Sequence, residues 1–193
     1  EYPFLSWMGT LGFKTSGANP DVKVLKQGFN VDPLLQNQAA CISTMIYNEY
    51  WQIIDAGVKP ADLVTFPYED QGVATLEDGL YVLEDKLKDA AFVDTMAKFV
   101  KASMKGWEWA RANPEEAAKI VLENDATGAQ TEAHQVRMMG EINKLTMGST
   151  GKLDPADFER TGTTLLGAGG EAPGISKRPV GAWSHAVIDA AMK

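Results

Sequence analysis

After Asp89 the apolar residues of this chain fall into step. Phe92, Met96, Phe99, Val100, Met104 and Trp107 recur three and four positions apart, the period that lays one apolar stripe along a helix. "NPEEAAKIV" adds a helix-start pattern, with Asn113 as cap, Pro114 at the first helical position, and Glu115 and Glu116 near the positive helix end. "TEAHQVRMMGEINKL" and "DPADFERTGTTLL" read as two more helices, the second capped by Asp154 ahead of Pro155. "GAGGEAPG" reads as a loop and "GAWSHAVIDAAMK" as a terminal helix. Before Val58 the pattern differs. Residues 3–11 fit a short amphipathic helix stopped at Gly12, residues 22–28 alternate like a strand, and Asp32 with Pro33 opens another short helix. Residues 41–46 form an apolar run of strand length, followed by a helix ending near Gly57. Helix–strand–helix–strand–helix is the rhythm of a parallel α/β layer, so an α/β fold is expected. Around Val58 the organisation changes, and "DLVTFPYEDQG" and "GLYVLEDKL" read as extended segments split by Gly72 and Gly79. No internal repeat is visible.

Charge and composition remove several function classes. The 193 residues carry a formal net charge of −8 and a sequence pI of about 4.8. Phosphate backbones are held by clustered Lys and Arg, so no nucleic-acid partner is expected. One cysteine, Cys41, cannot form an internal disulfide or a multi-cysteine metal site. His134 and His185 are far apart in sequence, with no second His or Cys at ligand spacing, so no metal and no cofactor is expected. No apolar run reaches the roughly 20 residues of a membrane span. Glu1 is not an initiator Met and "EYPFLSWMGTLGF" reads as a segment already inside a domain, so a processed or truncated chain without its signal peptide is expected.

Three short clusters carry the chemistry. "YNEYW" follows the apolar run at 41–46, and in a parallel α/β sheet ligands bind outside the carboxyl ends of strands. There Glu49 can accept hydrogen bonds from an amine or amidine, Asn48 can donate and accept, and Tyr47, Tyr50 and Trp51 offer ring faces. A second reading stands beside this one: Asn48 or Glu49 caps the following helix and the rings fill core. In "FPYEDQG", Tyr68, Glu69 and Asp70 lie where a hinge is expected, and paired acids can divide acid and base roles; a solvated turn is the alternative. In "EYPFL", Glu1 and Tyr2 flank a helix start, whose free N–H groups attract polar or anionic ligands. Cys41 and the two histidines read as structural, and no nucleophile–base pair is visible, so binding rather than catalysis is expected.

The order of "EYPFLSWM", "VDPLLQNQAACISTMIYNEYW", "GLYVLEDKL" and "WEWARANPEEAAKIV" resembles the pyrimidine-binding branch of the periplasmic substrate-binding proteins of ABC transporters, the family that also holds the thiamine-pyrimidine synthases. The resemblance runs from Glu1 to the last helix and matches the later part of a family member. It implies a type II periplasmic-binding-protein fold, with residues 1–60 as the second, ligand-facing lobe. Residues 61–193 would then be the hinge return, the remainder of the first lobe and flanking helices. It also implies capture of a small planar nitrogen-containing or anionic organic molecule between two lobes. A monomer in the periplasm, or lipid-anchored outside the cytoplasm, would deliver that molecule to a permease in the inner membrane. On this map Glu49 presents a carboxylate to a pyrimidine edge with Tyr47, Asn48 and Tyr50 beside it, Glu1 and Tyr2 stand at the helix start facing the ligand, and Tyr68 and Glu69 match the hinge return. Relatives carry a Gly-x-Val-Asp-Ala type turn where this chain has "NQAAC", and the synthases carry a cysteine-rich stretch where this chain has Cys41 alone. A synthase-like enzyme, or a fragment without binding of its own, are the alternatives.

Overall fold

A computed structural model describes residues 1–167 and 173–193. Its elements, in chain order, are α1 (Tyr2–Thr10), α2 (Asp32–Leu35), α3 (Glu49–Asp55), α4 (Ala90–Ala112), α5 (Pro114–Glu123), α6 (Glu132–Thr146), α7 (Pro155–Leu166) and α8 (Ala186–Ala191). Short 3-10 turns lie at Pro60–Asp62 and Glu84–Lys88. Of the loop expected over 167–174, residues 168–172 lie outside the described residues.

The expected α/β architecture is overturned. Among the described residues there is no strand and no sheet, which conflicts with a type II periplasmic-binding-protein fold. Alternation and apolarity made residues 22–28 and 41–46 strand candidates, but a strand persists only where a neighbour takes up its N–H and C=O groups. Here the segments find no such ladder, and side chains along them face water: Leu25 is 52% exposed and Ile46 61%. One substitute contact stands out. The side-chain amide of Gln27 accepts from the Ser43 N–H at 3.0 Å and donates to the Ser43 carbonyl at 2.8 Å, so a side chain fills the place of a strand neighbour for one residue. The extended segments expected in "DLVTFPYEDQG" and "GLYVLEDKL" likewise form no ladder.

The helices follow their local chemistry more closely. α1 ends in a Schellman turn: Gly12, at φ +80°, donates to Gly9 O and Phe13 N donates to Met8 O. Asp154 caps α7 by accepting from Ala156 N at 2.8 Å, and Thr131 caps α6 by accepting from His134 N. Asn113 precedes α5 as expected, yet its amide donates backward to Trp109 O at 2.9 Å and closes α4 instead.

The chain forms two compact units. The first comprises Glu1–Leu25, Val64–Asp94 and Lys152–Ala190; the second comprises Lys26–Leu63, Thr95–Gly151 and Ala191–Lys193. In the first, α1 packs on α7, Met8 and Val73 are buried, and the Trp7 and Phe66 rings meet at a tilt with centroids 5.3 Å apart. In the second, α5 lies along α6, and Ala110 of α4, Ala117 and Ala118 of α5, Val31 and Ile53 are buried.

Candidate functional site

The first unit contains a cavity of about 200 Å³ beside the start of α1 and the end of α7. Pro3 stands in the first turn of α1, where its missing N–H costs nothing, and Glu1 occupies the cap position without spending its carboxylate on a cap bond. Glu1, Tyr2, Leu5 and Ser6 then line one side. The loop after α1 is pinned at Lys14, whose N–H donates to Asp21 Oδ2 and whose carbonyl accepts from Asp21 N and Val22 N. That closure brings Thr15, Ser16 and Val24 into the wall.

The end of α7 supplies the opposing side through Thr164, Leu165 and Gly167. Helix ends leave carbonyls without helical partners; here Gly167 N donates to Thr164 O, and the returning chain serves Leu165 O through Gly174 N and Ile175 N, at 2.7 and 3.2 Å. This draws the Gly174 backbone against the Tyr2 ring. A Cβ at Gly174 would meet Tyr2 Cγ at 3.1 Å and Leu165 Cδ2 at 3.3 Å, so only glycine leaves the ring undisturbed.

The described lining has one carboxylate, Glu1, and no lysine or arginine; the rest is hydroxyl, aromatic and aliphatic. Such a site accepts hydrogen bonds at Glu1, offers a ring face at Tyr2, and donates from hydroxyls. Ser6 and Thr164 are each only 5% exposed.

The second unit holds a polar cluster at the start of α3. Glu49 is 8% exposed, and its oxygens are already engaged: Oε2 accepts from Met45 N at 2.9 Å and Oε1 from Asn48 Nδ2 at 3.3 Å. Asn48 Oδ1 accepts from Gln52 Nε2 at 3.2 Å and stands 2.9 Å from His134 Nε2 on α6. The other ring nitrogen of His134 lies 3.7 Å from Asp55 Oδ2. Arg137 pairs with the same carboxylate at Oδ1 and lays its guanidinium over the Trp51 ring, 5.1 Å from the centroid. The hydrogen bond from Arg137 holds the Asp55 carboxyl below its ordinary pKa, outweighing partial desolvation, and His134 adds to it. Tyr50 meets Trp51 edge-on at 5.3 Å, and Tyr47 is half-buried nearby in sequence.

The residues expected to bind ligand therefore divide. Tyr47, Asn48, Glu49 and Tyr50 belong to the second unit, and Glu1, Tyr2, Tyr68 and Glu69 to the first. Glu1 and Tyr2 share the α1–α7 cavity; Tyr68 and Glu69 do not line it. They form a turn in which Gly72 N donates to Glu69 O and Val73 N to Tyr68 O, with Gly72 at φ +72°. Glu77 has a raised pKa, from burial first and then from the like charges of Asp78 and Glu69.

Sequence reasoning missed Ser6, Thr164 and Arg137, and it read His134 as structural. The last two carry a weak signal, since a Thr131 cap sets His134 in the first turn with Arg137 three positions on, on one helix face. His185, by contrast, donates to Leu153 O at 2.8 Å and packs against Trp183, a structural placement. Among the described residues no group of three His, Cys, Asp or Glu side chains is placed to hold a metal.

No curated protein matches the chain, and neither does any solved structure. A family model described as NMT1/THI5 like matches residues 8–117, running from within α1 to within α5. With more than half of its length matched, the chain belongs to the NMT1/THI5-like family, which includes substrate-binding proteins of ABC transporters as well as thiamine-pyrimidine enzymes.

Proposed function

We propose that this chain binds a small, flat, nitrogen-containing molecule as the solute-binding component of an ABC importer, acting outside the cytoplasmic membrane as a monomer and passing its ligand to a permease. The observation that carries the reading is the meeting of Glu1 and Tyr2 with two buried hydroxyl residues in one cavity, in a family that contains solute-binding proteins. A volume of about 200 Å³ lies below the roughly 300–1,000 Å³ of drug-sized sites and suits a single ring. Glu1 accepts from an exocyclic amine while Tyr2 offers a stacking face. Its acidic lining favours an amine-bearing ring over an anion. Binding is favoured over catalysis because both ring nitrogens of His134 face side-chain partners and His185 is tied to a carbonyl.

Calorimetric titration of the chain with 4-aminopyrimidine tests this. Saturable binding is expected, weakened about tenfold, or about 1.4 kcal/mol, by Glu1→Gln, within the range of a hydrogen bond to a charged group. Absence of saturation, or chemical conversion of the probe, overturns it.

A further inference from the structure

We propose that the groove lined by α4, α5 and α6 in the second unit is a docking surface for an acidic amphipathic helix of a partner protein. It involves no residue of the α1–α7 cavity and is independent of the ligand reading.

The groove encloses about 320 Å³. Along α4 it is lined by Ser103, Gly106 and Ala110, three small residues at the spacing of one helix face. Larger side chains complete it: Trp107 and Trp109 of α4, Ile120 of α5 and Met139 of α6. The two tryptophans are 40% and 41% exposed, and Ile120 is 49% exposed. Small residues between large ones let a second helix come close and lay its apolar side chains into the gap. Gly106 points the same way. It lies inside α4, where glycine weakens a helix relative to alanine. A Cβ there would meet nothing within 4 Å, so no neighbour among the described residues requires the glycine. A backbone approaching from outside does.

Charge decides what that helix carries. Lys98, Lys101 and Lys105 follow one another at three- and four-residue steps, and the next step of the row is Trp109. A line of ammonium groups therefore leads into the α4 side of the groove. Lys101 and Lys105 are exposed and pair with no acid among the described residues. Like charges four residues apart weaken a helix, and carboxylates on a partner relieve that repulsion. On the α5 side, Glu116 stands one turn before Ile120. The two sides thus differ in sign, which fixes the edge of the partner helix that bears its acids. An anionic lipid surface fits less well. A flat bilayer leaves the gap over Gly106 unfilled, and Glu116 and the chain's net charge of −8 repel it.

The test uses two synthetic peptides, alanine-based helices with leucine at three- and four-residue spacing and either glutamate or lysine beside the leucines. Binding to the chain is read by calorimetry. The glutamate peptide is expected to bind saturably, and about tenfold or more tightly than the lysine peptide. Gly106→Leu fills the gap and should weaken binding by about tenfold or more, while its melting temperature holds or rises because leucine is the better helix former. Lys101→Glu combined with Lys105→Glu should reverse the preference between the peptides. Binding of neither peptide, equal binding of both, or an unchanged affinity in Gly106→Leu overturns the proposal. Self-association in light scattering that Gly106→Leu abolishes also overturns it, giving the groove to a second copy. Binding to phosphatidylserine vesicles without peptide binding overturns it as well, giving the groove to a membrane.

Discussion

Glu49 at the start of α3 and Ser6 and Thr164 beside α1 and α7 are all buried, yet the polar groups of the two places end their hydrogen bonds differently. At α3 the groups answer one another: Glu49 with Met45 and Asn48, Asn48 with Gln52 and His134, Asp55 with Arg137. Beside α1 and α7, Ser6 and Thr164 are left without side-chain partners, and Glu1 makes no cap bond. Groups engaged with one another fix local structure, although Trp51 Nε1 stays buried there without a partner among the described residues, whereas Ser6 and Thr164 line a cavity. The α3 cluster is built of acids, amides, a histidine and an arginine, and the α1–α7 lining of hydroxyls with one carboxylate.

The largest effect expected from breaking this contrast is at Glu49. Glu49→Ala strips an acceptor from Met45 N and Asn48 Nδ2, and a loss of about 1–3 kcal/mol in urea unfolding is expected. Binding of 4-aminopyrimidine should be unchanged. A variant that stays stable but loses the ligand would reverse the roles of the two clusters.

Asp55→Asn should cost less, about 0.2–1 kcal/mol at neutral pH, because the Arg137 and Asp55 side chains are 35% and 45% exposed. Asp55 has a folded pKa below its unfolded one. The pairing therefore stabilises fully above the unfolded value and fades as pH falls through the folded value. Urea midpoints measured from neutral to acid pH should drop less steeply in Asp55→Asn than in wild type; identical slopes would show that the cluster is not held by this pair.

The smallest effect belongs to Glu77, where acids are set against each other instead of being paired. Its pKa is raised in the fold, so the folded chain holds the proton more readily and loses stability as pH rises through the carboxyl range. Glu77→Gln should raise the melting temperature at neutral pH, with a stability gain of no more than about 0.5 kcal/mol for a surface site, and the gain should vanish in acid. A loss of stability at neutral pH would mean that Glu77 has a favourable partner.

How much of this was legible depends on the range of the interaction. The stripe after Asp89 became α4, and Pro3, Asp154 and Gly12 marked helix ends, because caps and stripes are settled within a turn or two. Residues 22–28 and 41–46 misled because alternation describes a strand's faces and says nothing of its neighbour. Asn113 misled more subtly: its amide had two local uses, and it took the bond to Trp109. The helix start drew attention to Glu1 and Tyr2, but Ser6 and Thr164 look like any helical hydroxyls. Their distinction is a bond they do not make, and the cavity that brings them together joins opposite ends of the chain. His134 meets Asn48 across 86 residues of chain.

The contact between Gln27 and Ser43 has a consequence for solubility. A row of open N–H and C=O groups is a template on which other chains add strands, and aggregation spreads along such edges. Backbone pairing would extend from residue to residue, whereas a side-chain amide occupies one position and offers nothing to the next. Gln27 takes both groups of Ser43, so that residue has neither to give an incoming strand, just ahead of Met45 and Ile46, which are 39% and 61% exposed.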